Sequence, residues 1–124
     1  MADRKTPNIF PFMRFADPDA ALEWLSQAFS FEELVVYRSE DGAVDHAEIS
    51  LGPGIVMFGP GEPASQGVYV AVEDVDAHYE RAKAAGAEIV REIENTDYGS
   101  REYTARDPEG HVWSFGTYQP EAAA

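Results

Sequence analysis

Sliding the sequence against itself by 57 residues brings Asp17 onto Asp74, Asp19 onto Asp76 and Ala20 onto Ala77. The same shift pairs Glu23 with Glu80, Ala28 with Ala85, Gly42 with Gly99, Phe58 with Phe115 and Gly59 with Gly116. One register runs almost the whole length without a gap, so the chain reads as two copies of one unit. Whatever one half builds, the other must build again.

Each copy opens on an alternating strand, IFPFMRFA in the first and GVYVAVE in the second. An aspartate follows, Asp17 or Asp74, suited to accept the orphan amide hydrogens of a helix start. Pro18 then takes the first helical position, where its missing N–H costs nothing. The helix DPDAALEWLSQAF sets Leu22, Leu25 and Phe29 on one apolar stripe. Its counterpart DVDAHYERAKAAG uses Val75, Tyr79 and Ala82, with Gly86 as the left-handed stop. Three shorter strands complete each copy: LVVYR, DGAVDHAEISL and GIVMFG in the first, EIVREI, SREYTARD and HVWSFG in the second. The expected unit is β-α-β-β-β, twice. Module one covers about residues 7–60 and module two about 66–118 of a single domain, 1–124, with "GPGEPASQG" as the linker and QPEAAA as a frayed tail.

Composition closes several routes. There is no cysteine, so disulfides, thiolate metal sites and cysteine nucleophiles are excluded. No apolar run is long enough to span a membrane, and MADRKTPN lacks the apolar stretch of a signal peptide; the expectation is a soluble cytoplasmic protein. A net charge of −14 repels nucleic acid and anionic lipid and favours a cationic ligand over an anionic one. No Ser-His-Asp order, phosphate loop or nucleotide fingerprint is present.

Alternate side chains of a strand face opposite sides of a sheet. One parity collects Ile9, Met13, Phe15, Ala47, Ile49, Leu51, Val56, Phe58, Val68, Val70, Val72, Trp113 and Phe115, and is read as core. The other collects Phe10, Phe12, Arg14, His46, Glu48, Ser50, Ile55, Met57, Tyr69, Arg101, Tyr103, Val112 and Ser114. Apolar walls with a few polar groups among them describe a small-molecule pocket. The residues expected to bind a ligand are Phe10, Phe12, Arg14, His46, Glu48, Met57, Tyr69, Arg101, Tyr103 and Ser114. His46 and Glu48, two apart on one strand, are the candidates for proton transfer or for two ligands of an alternative metal site; His78 lies on a helix and His111 on the apolar parity.

The paired units, the stretch "VEDVDAHYERAKAAGAEIV" and the ending "YGSREYTARDPEGHVWSFGTY" resemble the vicinal oxygen chelate superfamily, the group of glyoxalase I, bleomycin-resistance proteins and extradiol dioxygenases. The resemblance implies an α+β fold of two tandem βαβββ modules, with curved mixed sheets around a cup commonly completed by pairing modules in a homodimer. In members with a metal, one ligand stands on the first and one on the last strand of each module. Those positions fall here on Phe10, Met57, Gly67 and Ser114, none of them His, Glu, Gln or Asp. The family's metal site is therefore expected to be absent, with no cofactor, as in the branch that sequesters bleomycin-type antibiotics.

Three functions follow. The first is a metal-free protein that binds an aromatic or cationic compound, as in resistance. The second is a glyoxalase-type lyase or isomerase with an unusual metal site or none. The third is an accessory protein whose role is association.

Overall fold

The computed structural model describes residues 9–64 and 66–120. The expectations for MADRKTPN, for the linker at position 65 and for most of the tail lie outside the described residues.

The elements follow the expected order: β1 (Phe12–Phe15), α1 (Pro18–Phe29), β2 (Glu32–Arg38), β3 (Val44–Leu51), β4 (Gly54–Pro60), β5 (Gly67–Ala71), α2 (Val75–Ala84), β6 (Glu88–Asn95), β7 (Arg101–Arg106) and β8 (Val112–Gly116). Two four-stranded mixed sheets result, ordered β1-β4-β3-β2 and β5-β8-β7-β6. In each, the first and last strands of the module pair in parallel and the rest pair antiparallel. The helix starts are as read: Asp17 accepts from the amide of Ala20, and Asp74 from that of Ala77. Ser30 ends α1 with φ 68°, and Gly86, at φ 88°, follows α2.

The helix-facing sides of both sheets share one core. Phe29, at the end of α1, touches Trp113 and Phe115 of the second sheet, and Phe31 touches Trp113. Glu109, in the β7–β8 turn, accepts from the backbone amides of Ala16 and Asp17 and so joins the second module to the start of α1. Ile9 is corrected: it was read as core but is 82% exposed, because β1 begins three residues later.

The repeat also slips by one residue in β3. Arg38 pairs with Val44 and Tyr37 with His46, so Asp45 is passed over as a bulge. Val44 and Ala47 both reach the core, at 3% and 0% exposure. Strand β7 has no counterpart of the extra residue, so from the bulge to the end of β3 the copies match at a shift of 56, with Tyr103 in the place of Ala47, and β4 and β8 return to 57: Ala47 faces Phe58, and Tyr103 faces Phe115. A one-residue slip exchanges the faces of a strand.

His78 holds the modules together from inside. One ring nitrogen donates to the carbonyl of Phe29 at 2.9 Å, and the other accepts from the Tyr103 hydroxyl at 2.6 Å. Burial holds its pKa below 6.5, against the opposing pull of the Phe29 carbonyl, and burial also pushes the Tyr103 phenol up. Below pH 6.5 the unfolded chain binds a proton that the folded chain resists, so stability present above that pH is lost as pH falls. Thermal scans between about pH 7 and pH 5 are expected to show a falling midpoint, with a shallower fall in His78→Gln. Equal slopes in both proteins would contradict this role.

Candidate functional site

The mixed face of the first sheet is built around β3. The bulge at Asp45 turns His46, Glu48 and Ser50 to the side away from the helices. Glu48 stands opposite Met57 on β4, and Met57 opposite Phe12 on β1. The His46 ring and the Glu48 carboxylate are 2.9 Å apart, each side chain about one-third exposed. Phe12 lies near-parallel to the His46 ring at 6.3 Å, and Tyr37 flanks it at 6.0 Å. The Arg14 guanidinium sits 5.0 Å from the Phe12 ring centre and donates to the Pro60 carbonyl. Arg14, Phe12, His46 and Tyr37 thus form a flat platform with one carboxylate at its side.

The second face is more polar and more tightly bonded. Tyr69 on β5 is opposite Ser114 on β8, which is opposite Thr104 on β7. The Thr104 and Ser114 hydroxyls are bonded at 3.0 Å, which explains a serine between Trp113 and Phe115: its neighbours face the core while it faces out. Arg91, from β6, donates to the Thr104 hydroxyl at 3.3 Å and to Glu102 at 3.0 Å. Tyr98, on the β6–β7 turn, donates its O–H to the same Glu102 oxygen at 2.9 Å. The Glu102 side chain is only 7% exposed. Burial pushes its pKa up, but hydrogen bonds from Arg91, Tyr98 and Ser100 outweigh that and hold it below the ordinary value. Burial and the Glu102 charge raise the Tyr69 phenol, whose O–H donates to the Tyr118 carbonyl.

Gly116 lies opposite Glu102. A Cβ there would stand 2.5 Å from Glu102 Cγ and 2.9 Å from the Tyr69 oxygen, so the absent side chain is what makes room for the carboxylate.

Two residues of the expected site are placed elsewhere. Arg101 and Tyr103 lie on the helix side of β7: Arg101 is bonded to Asp76 of α2 at 3.0 Å, and Tyr103 is fully buried against His78, Tyr79 and Phe115. The bulge in β3 is the reason, since parity carried over by the repeat is wrong in β7 by one residue. The structure brings Phe12, Arg14, His46, Glu48 and Met57 together on one face and Tyr69 and Ser114 on the other, with Phe10 just ahead of β1. Arg91, Tyr98, Glu102, Thr104 and Gly116 were missed. Counting across the turn closed by Asp107 and His111, instead of along the repeat, puts Thr104 opposite Ser114 and finds them.

The positions that the family's metal would use offer a phenyl ring at Phe10, a thioether at Met57, no side chain at Gly67 and at Ser114 a hydroxyl bonded to Thr104. This set does not fit a divalent cation that takes imidazole or carboxylate ligands. Among the described residues no three His, Asp or Glu side chains gather as a metal group, and no helix is long and apolar enough to cross a membrane.

Since the helix sides share one core, both mixed faces point away from it. A groove of about 370 Å³ lies between β4 and β5, where Ile55 and Tyr69 stand among apolar neighbours such as Val56 and Val70.

The Glyoxalase/Bleomycin resistance protein/Dioxygenase superfamily model matches residues 11–115. The chain is 30% identical to Uncharacterized protein Rv0887c of Mycobacterium tuberculosis, over 94% of this chain and 77% of the relative. The crystal structure of TioX from Micromonospora sp. ML1 superposes with a TM-score of 0.81 at 35% identity, covering 89% of this chain and 97% of that one. The fosfomycin resistance protein FosX from Listeria monocytogenes shares the fold, with a TM-score of 0.66 at 16% identity and coverage of 90% and 92%.

Proposed function

The chain belongs to the Glyoxalase/Bleomycin resistance protein/Dioxygenase superfamily, and on that premise we propose that it binds a planar, partly cationic aromatic compound in a metal-free cup. The observation that carries this reading is the pair of outward faces, one a stack of flat groups and the other a buried carboxylate among tyrosines, at the place where a metalloenzyme would hold its ion. A cation over an aromatic face gains about 0.5–2 kcal/mol, more when water is excluded. The net charge of −14 attracts the same ligands. The arginines that would anchor an anion are engaged: Arg101 by Asp76, Arg91 by Glu102 and Arg14 by the Pro60 carbonyl.

Each chain supplies two half-cups that face apart, so the reading includes a homodimer in which the first face of one copy closes on the second face of the other. Closed two-fold pairing is the commonest arrangement of small oligomers. The biological role consistent with this is sequestration of a toxic compound in the cytoplasm; FosX, which shares the fold, is a fosfomycin resistance protein.

A second reading rests on His46 and Glu48. At 2.9 Å a carboxylate orients the imidazole for proton transfer, as a glyoxalase-type lyase or isomerase would require.

The test combines elemental analysis of protein purified without chelator with fluorescence titration of 9-aminoacridine before and after EDTA. Binding unchanged by EDTA, with substoichiometric metal, is expected. Near-stoichiometric metal lost in Ser114→Ala would contradict the metal-free reading, and metal lost in His46→Ala would favour the second reading.

A further inference from the structure

We propose that Glu102 is the anion that fixes the charged N–H end of a cationic aromatic ligand, and that Tyr98 is the exchangeable cover over it. The proposal rests on the ligand class argued above and assigns the group that selects it. A carboxylate that is 7% exposed on a sheet face turned away from the core is costly to place, and the fold gives it space by keeping Gly116 opposite. Arg91 and Tyr98 both use Oε1 and Ser100 adds a third bond, against about four acceptor positions over the two oxygens of an ionised carboxylate. Capacity therefore remains for another donor.

The two partners differ in how firmly they are held. Arg91 is also bonded to Thr104 and lies 3.6 Å from Glu94, so it has reason to stay. Tyr98 is 66% exposed on a turn, its ring edge-on to Tyr118 at 6.3 Å, and its O–H reaches Glu102 from the solvent side. A ligand N–H that takes the place of this O–H leaves the carboxylate satisfied while the ligand gains a charged acceptor, and Tyr69, Tyr98 and Tyr118 supply ring faces around it. The Tyr98 bond carries charge on the acceptor alone, whereas a cationic N–H puts charge on both partners. A cation without an N–H donor cannot make the exchange, so the site selects amino- or amidino-substituted aromatics.

The experiment uses the full chain with two probes at about pH 8: 9-aminoacridine, which is a cation with N–H donors, and acridine, which is neutral. The wild type is expected to prefer 9-aminoacridine. Glu102→Gln is expected to remove at least tenfold of that preference while leaving acridine affinity unchanged. Tyr98→Phe is expected to tighten 9-aminoacridine a few-fold by deleting the competing donor. A preference that survives Glu102→Gln, or weaker binding in Tyr98→Phe, overturns the proposal while the cup reading stands. Failure of both probes to bind the wild type overturns the cup reading and this proposal with it. Circular dichroism reports whether Glu102→Gln is folded; if it is not, the sign of the Tyr98→Phe effect decides alone.

Discussion

Asp107→Ala is expected to lower the unfolding free energy by about 3–5 kcal/mol, the scale for removing one partner of a buried charged group. The Asp107 side chain is fully buried and accepts from the backbone amides of Glu109 and His111, from the His111 ring at 3.0 Å and from the Trp113 indole at 2.9 Å. Alanine would leave all four donors without this acceptor, three of them buried. Domains of this size are stable by only about 5–15 kcal/mol, so the variant should be close to unfolding at room temperature. The same substitution loosens the turn that carries Glu109 to α1, and with it the seam between the modules. Asp107→Asn keeps the shape and one acceptor oxygen but turns an amide toward a set of donors, and should lose less. Denaturant midpoints for the three proteins check the order. A loss in Asp107→Ala within about 1 kcal/mol of zero would show that the turn is held by something else.

This turn is also where the sequence was most informative. Asp-Pro-Glu-Gly reads as a turn from residue chemistry alone, and the apolar alternation after it assigns Trp113 and Phe115 to the core, where the structure puts them. The caps at Asp17 and Asp74, the order of the ten elements and their division into two modules were legible for the same reason: each depends on local chemistry that the repeat then states twice. Of the second face Tyr69 and Ser114 were legible, but its β7 residues were not. Those residues depend on whether β3 and β7 run in step, and Asp45 is one residue whose insertion leaves the turn glycines, Gly42 and Gly99, still matched. The only trace is a spacing of three between the core residues Val44 and Ala47, which alternation forbids in a regular strand. Glu102 was hidden by the same slip, since Arg101 and Tyr103 took its place on paper. Whether two faces that point away from one core meet in a second copy depends on another chain, and no pattern within one chain specifies that.

In the proposed cup a ligand sits between the first face of one copy and the second face of another. Phe12→Ala removes a ring from the first face, and Tyr69→Ala one from the second. Each is expected to weaken 9-aminoacridine binding about tenfold or more, in keeping with the loss of a cation–π face. Neither residue is part of the shared core, so both variants should fold. In a dimer formed from one chain of each kind, one cup carries both substitutions and the other carries neither. The decisive measurement is therefore calorimetric titration of the two variants separately and after they are unfolded, mixed and refolded together. Mixing is expected to restore wild-type affinity in one cup of every mixed dimer. If each chain binds within its own groove, every site in the mixture keeps one substitution and no wild-type affinity returns, and that result would contradict it.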